Sequence, residues 1–467
     1  MIVLDTCRRD NLGCYGYKRK VIGGGPESSS PTPNIDDFAG KAVLFEQAFA
    51  QSNITLMSFS SFLTSKYPSA LNVHYTPGTA LSENPVISRM DELELTLPEI
   101  LKMFNYQTIA FPTGTQLDPK YGLNRGFNIY ANRPFDFKKR KHTDYRSEAM
   151  SFADFLPTAL EWLEINKNER FFALLHSNDT HPPYDPPDSV FPHIYDPGYS
   201  GIMDKVKLTI QLLRGISGLR LNTAGIKPER DFREPYRAEL SSSALRRKGE
   251  ISLDMRDINH VIAHYDGSLA YADYCAGRIL DRLKESNLDK NTIVLIMADH
   301  GENLYERKKF NRVSSLNLHD EILKVPLLIR HPGIENSAGK RIKETVQLLD
   351  IMPTLLSMLG IPGPENIQGK DLSPLINAYA AGKSTAPWQT AANEYTYAET
   401  ATDKFSIRTA EWKLIRQEDS VELYNLASDP GETVNLSRTE TSVTTKLSKE
   451  LDAWIAVNTD FYTPVSR

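Results

Sequence analysis

The sequence predicts an α/β protein organised on one large sheet, with a smaller α+β subdomain closing the chain. Three observations carry this. Two short apolar runs, Met1-Ile2-Val3-Leu4 and Thr292-Ile293-Val294-Leu295-Ile296-Met297, end abruptly in carboxylates at Asp5 and Asp299. Apolar runs this short, β-branched in part, read as strands buried on both faces of a parallel sheet. A chain of 467 residues is too long for one small core and suggests a large domain plus a smaller one. After Ala378 a stretch rich in alanine, glycine and serine reads as a linker. Residues 398–454 then alternate short strands with turns before an amphipathic helix. The expected division is 1–378 and 379–467.

From the N-terminus, the first strand leads straight into Asp5. Gly13, Gly16 and Gly23-Gly24-Gly25-Pro26 mark a flexible loop. A helix is expected to start at Pro33-Asn34-Ile35, capped by Asn34 or the residue before it. Residues 43–50 read as a strand. Residues 51–64 read as a loop feeding a helix whose first turn is rich in hydroxyls. Free N–H groups and the positive dipole end there suit an anionic tetrahedral group. Ordinary serine and threonine capping produces the same composition, so both readings stand at this point.

A helix over 97–103 and strands over 107–111 and 171–176 follow. The prolines of Asn178-Asp179-Thr180-His181-Pro182-Pro183-Tyr184-Asp185-Pro186-Pro187 forbid regular structure and fix a loop. His176 is thus a strand-end histidine and His181 a loop histidine. His181, in a polar loop beyond an apolar strand, is the better candidate for chemistry. Residues 188–260 read as an excursion over the active-site face, with Arg246-Arg247-Lys248 a solvated basic cluster. Residues 262–284 carry helical periodicity and return the chain to the second Asp-terminated strand. Residues 325–330 form a further strand, and residues 348–359 a helix with Pro353 near its first turn.

Asp299-His300-Gly301, just beyond a strand's carboxyl end, stands where open α/β sheets bind ligands. The pair offers two metal ligands from one rigid base. Asp5 ends its own strand the same way, so both carboxylates can aim at one point.

Composition narrows the classes. The formal charge of −5 gives no basic footprint for nucleic acid. Cys7, Cys14 and Cys275 supply neither a disulfide framework nor metal-ligand spacing. No apolar run is long enough for a membrane span. With a strand at residue 1 and no basic or apolar leader before it, the expectation is a cytoplasmic protein, or a chain that begins inside its first strand.

Several motifs, in shared order over almost the whole chain, resemble the sulfatase branch of the alkaline phosphatase superfamily. Leu4-Asp5-Thr6-Cys7-Arg8-Arg9-Asp10-Asn11-Leu12-Gly13-Cys14-Tyr15-Gly16 resembles its opening motif. Phe62-Leu63-Thr64-Ser65-Lys66-Tyr67-Pro68 is similar to the helix after its nucleophile. His181-Pro182-Pro183-Tyr184 resembles its histidine loop and Ala298-Asp299-His300-Gly301-Glu302 its metal motif. Val325-Pro326-Leu327, Asp350-Ile351-Met352-Pro353-Thr354-Leu355-Leu356, Leu423-Tyr424-Asn425-Leu426 and Asp429-Pro430-Gly431-Glu432 resemble later signatures. The resemblance implies an alkaline-phosphatase-like three-layer sandwich with a large mixed sheet and a smaller C-terminal subdomain. It also implies one divalent metal, calcium, manganese or zinc, held by Asp5, Asp299, His300 and the nucleophile. One ion is favoured over two, since only His176 and His319 remain for a second.

The nucleophile segment departs from that family. Counting back from Thr64 puts Thr55 where sulfatases carry the Cys or Ser of Cys-x-Pro-x-Arg, with Met57 for the proline and Phe59 for the arginine. Threonine is not expected to yield formylglycine, so no formylglycine is expected here. Phe111-Pro112-Thr113-Gly114-Thr115 stands where a Lys-Trp-His segment is usual, Thr6 replaces a second acidic residue, and no lysine counterpart precedes His319. Related phosphodiesterases and phospho-group transferases use threonine, which implies attack by Thr55 on a phosphate ester, diester or phosphonate. His181 would protonate the leaving group or bind a substrate oxygen, and Thr113 and His319 are the candidate substrate-binding residues. A sulfuric ester hydrolase, a transferase and a non-catalytic binding protein are the alternatives. The expected partner is an anionic ester, with no nucleic acid.

Overall fold

In chain order the large sheet comprises β1 (Ile2–Leu4), β2 (Val43–Phe49), β3 (Gln107–Phe111), β4 (Ile129–Tyr130), β5 (Phe171–Ser177), β6 (Val294–Ala298), β7 (Lys324–Val325), β8 (Leu327–Arg330) and β9 (Arg341–Gln347). The computed structural model describes residues 1–19, 29–73, 75–76, 86–87, 89–90, 94–132, 135–136, 141–142, 151–182, 184–186, 191–200, 255–304, 306, 317–383, 394–400 and 403–460. Among them the order across the sheet is β7-β2-β8-β6-β1-β5-β3-β4, with β9 also paired to β2. The Gly23 to Pro26 loop, the Arg246 to Lys248 cluster and most of the linker after Ala378 lie outside the described residues.

β1 sits between β6 and β5, parallel to both, and all its residues are buried. A strand covered on both faces needs apolar side chains at every position, as Ile2-Val3-Leu4 and Val294-Leu295-Ile296-Met297-Ala298 provide. The sheet is mixed, however: β6 pairs with β8 in antiparallel fashion. The expected strand over 325–330 is divided at Pro326 into β7 and β8, both antiparallel to β2. Proline has no N–H to give the ladder, which accounts for the break.

The helices are α1 (Pro33–Ala39), α2 (Thr55–Thr64), α3 (Leu97–Met103), α4 (Phe152–Ile165), α5 (Met255–Glu285), α6 (Asp320–Leu323), α7 (Ile351–Met358), α8 (Ser373–Ala380) and α9 (Thr441–Asp460). α1 corrects the expected cap. Thr32 holds the N-cap position, Pro33 is at the first helical turn, and Asn34 instead donates to Asp273 on α5. α5 begins at Met255, well before residue 262, because its early polar residues Asp257, His260 and His264 are buried rather than solvated. The excursion over 188–260 is therefore shorter at its C-terminal end than expected. Pro353 falls in the first turn of α7 as expected, where its missing N–H costs no helical bond.

β10 (Thr396–Glu399), β11 (Lys404–Arg408), β12 (Trp412–Gln417) and β13 (Ser420–Asn425) form an antiparallel four-stranded sheet in sequence order. α9 packs on it through Leu447 and Leu451, which share a cluster with Ile407, Leu414 and Leu423. A second cluster joins Phe49, Leu318 and Leu323 to Ala398, Ile415 and Tyr424, so the small sheet is fixed to the end of β2. Residue 378, the expected boundary, falls inside α8.

Candidate active site

Strand register builds the site. Leu4 pairs with Ala298 and with Ser177, so the next residues, Asp5, Asp299 and Asn178, leave the sheet at one level. Side chains alternate along a strand, and Val3 pairs with His176. His176 therefore shares a face with Asp5. Asp5, His176 and Asp299 are all buried, and each offers a ligand atom within 4.8 Å of the others. His300 joins them, with Nε2 3.9 Å from Asp5 Oδ1 and 3.7 Å from Asp299 Oδ2.

The chain turns sharply after Asp5. Thr6 adopts φ 57°, a left-handed conformation unusual for a β-branched residue. That turn lets Thr6 N–H donate to Asp299 Oδ1 at 3.3 Å, and His300 N–H donates to the same oxygen at 3.0 Å. After His300 the backbone presses against α6: Gly301 N–H donates to Ile322 O at 2.6 Å. A Cβ at Gly301 would lie 2.2 Å from Glu321 O, so only glycine fits this approach.

Thr55 is the first residue of α2, after Ile54 in an extended conformation with no side-chain cap. Its Oγ1 lies 3.5 Å from His300 Nε2. Three other hydroxyls of this helix are committed elsewhere: Ser58 Oγ donates to Asp299 O at 2.7 Å, Ser60 Oγ to Leu56 O and Thr64 Oγ1 to Ser60 O. Capping therefore does not explain the hydroxyl-rich turn, and Thr55 is the hydroxyl that reaches the carboxylate cluster. One first-turn amide, Leu56 N–H, is taken by Gln116 Oε1 at 3.1 Å, which narrows the donors left for an anion.

His181 stands on a loop stitched to the same strand end. Thr6 Oγ1 donates to Thr180 O at 2.6 Å and Thr180 Oγ1 to Asp5 O at 2.5 Å. His181 Nδ1 lies 2.8 Å from Pro182 O, a carbonyl that only accepts, so Nδ1 carries the proton. Thr113 and His319 both meet other side chains. Thr113 is buried and engaged with His176, at 2.8 Å from Oγ1 to Nδ1. His319 faces the small sheet, its Nε2 3.4 Å from Tyr424 OH and 3.6 Å from Glu422. His176, kept in the sequence only for a second ion, stands beside Asp5 and Asp299.

The electrostatics fit a cation. Burial pushes the Asp299 carboxyl up to about 7, against the N–H donors of His300 and Thr6 that favour its charge. Burial also holds the His176 imidazole down to about 3, helped by His300 nearby. Among the described residues Asp299 Oδ2 is buried without a hydrogen-bond partner. Buried carboxylates facing one another need a compensating positive charge. Two carboxylates and an imidazole nitrogen form a donor set for a divalent ion, and that set does not choose between calcium, manganese and zinc.

Comparison with known proteins agrees with this geometry. A family profile described as Sulfatase matches residues 1–361, and one described as N-sulphoglucosamine sulphohydrolase, C-terminal, matches residues 310–456. Arylsulfatase K of Canis lupus familiaris is 31% identical over 205 residues, which cover 42% of this chain and 37% of that protein. The match thus spans little more than a third of that relative. A solved structure in complex with its substrate D-glucosamine-2-N,6-O-disulfate superimposes with a TM-score of 0.71 at 20% identity, covering 100% of this chain and 99% of its own. The phosphonate monoester hydrolase of Agrobacterium radiobacter superimposes with a TM-score of 0.68 at 19% identity, covering 98% and 95%. At these identities the two structures show a shared fold.

Proposed function

The chain belongs to the sulfatase family, and from that premise we propose that it is a metal-dependent hydrolase cleaving phosphate esters, diesters or phosphonates through Thr55. The observation that carries this reading is the Thr55 hydroxyl on the first turn of α2, 3.5 Å from His300 Nε2 and facing the buried carboxylates of Asp5 and Asp299.

Asp5, Asp299 and His300 would hold the divalent ion. When bound, the ion supplies positive charge that lowers the pKa of a neighbouring hydroxyl and shields the approach of an anionic ester. The protein's own groups do the rest. α2 fixes the Thr55 hydroxyl against the cluster, and Ser58 ties that helix to the Asp299 backbone. Attack by Oγ1 on phosphorus, with the Thr55 proton lost to solvent, forms a phosphothreonine ester and breaks the bond to the ester oxygen, which leaves as an alkoxide and is protonated. His181, whose Nδ1 meets Pro182 O, would act through Nε2: as imidazolium it gives that proton to the leaving group, and the neutral ring then takes one from the water that opens the ester. Remaining first-turn amides of α2 stabilise the non-bridging oxygens.

Sulfate is the second reading, favoured by the family and by the sulfated sugar bound to one structural neighbour. Against it stands the sequence of α2: Thr55 cannot become an aldehyde, and Phe59 fills the position of the arginine that accompanies one. The deciding experiment assays the protein with added Mn²⁺, Zn²⁺ or Ca²⁺ on an aryl phosphodiester, a phosphonate monoester and an aryl sulfate, beside Thr55→Ala. Phosphodiester or phosphonate turnover lost in Thr55→Ala is expected. Turnover of the sulfate alone would overturn the phosphate reading, and silence on all three would overturn catalysis.

A further inference from the structure

His176 and His300 both turn Nε2 toward the carboxylates, yet their Nδ1 atoms meet opposite partners. His300 Nδ1 lies 2.9 Å from Gly301 O. A carbonyl oxygen only accepts, so Nδ1 of His300 carries the proton and Nε2 offers a lone pair to the pocket. His176 Nδ1 instead accepts the backbone N–H of Thr113 at 3.3 Å, and Thr113 Oγ1 lies 2.8 Å from the same nitrogen. A proton on that nitrogen would point at the Thr113 amide hydrogen. With Nδ1 accepting the Thr113 N–H, the ring carries a single proton and is neutral. Its one proton therefore sits on Nε2, 3.8 Å from Asp5 Oδ2 and with no hydrogen-bond partner among the described residues.

We infer that His176 is a positioning residue and not a metal ligand: Thr113 fixes its tautomer, and its Nε2–H steadies the Asp5 carboxylate for the ion. A protonated ring nitrogen has no lone pair to give a cation, so the ligands are Asp5, Asp299 and His300. Closing the present gap to a hydrogen bond takes about 0.8 Å, within reach of a carboxylate rotation. The ring itself is held. Phe59 packs edge-on at 5.0 Å and 88°, and His176 has no exposed surface. Phe59 stands where the family pattern has arginine, so the same substitution that removes that charge supplies the wall against which His176 is set. Outer partners of this kind tune ligand orientation and affinity without touching the metal.

The inference rests on the metal-holding reading of the pocket, and its test separates the two. Protein labelled with ¹⁵N in its 10 histidines is examined metal-free and with Zn²⁺ by long-range ¹H–¹⁵N correlation. The signals are assigned from His176→Gln and His300→Gln. The expected result is a protonated Nε2 on His176 in both states, with an unprotonated Nε2 on His300 that shifts when Zn²⁺ is added. An unprotonated His176 Nε2 that shifts with Zn²⁺ would overturn the inference. Zn²⁺ titration gives the second arm. His176→Gln, which keeps an N–H donor near the Nε2 position, should hold affinity within about threefold, while His176→Leu weakens it about 10–100-fold. Loss in His176→Gln equal to that in His300→Gln would contradict a donor role. If wild-type protein takes no ion, the metal reading fails, and the metal-free tautomer alone still decides this inference.

Discussion

Two regions hold carboxylates away from water and treat them in opposite ways. At the seam between the large sheet and the C-terminal sheet, Asp320 lies 2.8 Å from Lys413 Nζ and 3.3 Å from Arg408. Burial alone would raise its pKa, but these two cations more than offset that and hold the carboxyl well below the usual range. In the pocket, burial pushes Asp299 up to about 7, and the groups around it are N–H donors, Asp5 and imidazoles. The seam carries its counter-ions in its own sequence. The pocket is left anionic against an external one. For Asp320 and Asp299 the lysine and arginine beside the first make the difference.

The largest expected effect lies in the pocket. Thr55→Ala should lower kcat at least about 10³-fold on whichever ester the wild type turns over, with urea stability changed by less than about 1 kcal/mol. A large stability loss with activity intact would make Thr55 a packing residue and dissolve the contrast. Next comes the seam. Lys413 is fully buried against Asp320 and Glu432, at 2.8 and 3.0 Å. Removing one partner of a buried pair leaves an uncompensated charge, so Lys413→Met should destabilise by about 3–5 kcal/mol in urea titrations. The pocket variants should not.

A smaller effect separates paired from unpaired carboxylates by pH. Glu399 accepts from Ser69 N–H at 2.8 Å, and burial raises its pKa from 4.5 to about 7. A folded pKa above the unfolded one means that the stabilising contribution is complete below about 4.5 and is lost as pH rises through about 7. Glu399→Gln cannot ionise, so its stability relative to wild type should grow by about 3 kcal/mol between pH 4.5 and pH 8. Parallel pH profiles for the two proteins would show that Glu399 is charged in the fold at no cost.

How far the sequence reached follows from what kind of contact each residue makes. Asp5, Asp299 and His300 were legible because each terminates an apolar run, and the run's length and end are local properties. Thr55 was reached by spacing from Thr64, since helix position is also local. His176 was ranked below His181 because its face is set by the register of β5 on β1, which pairs residues far apart in sequence. Thr113 read as a substrate-binding candidate with its link to His176 hidden for the same reason. His319 looked available because Tyr424 and Glu422, which meet its ring, come from the distant small sheet. The start of α5 was disguised by polar residues that the fold buries, such as Asp257 beside Tyr199 and His260 beside Asp196. Local patterns gave elements and strand ends, and long-range pairing decided which side chains share the pocket.

The central claim is that this pocket is built to take a divalent ion against Thr55. Its most direct test is the unfolding temperature of chelator-stripped protein titrated with Mn²⁺, Zn²⁺ and Ca²⁺, beside Asp299→Asn. At a concentration 100-fold above Kd, one ion bound only by the folded state should stabilise it by about 2.7 kcal/mol. The account predicts a saturable rise for at least one of these ions in the wild type and none in Asp299→Asn. No rise with any of the three, or an equal rise in Asp299→Asn, would contradict it.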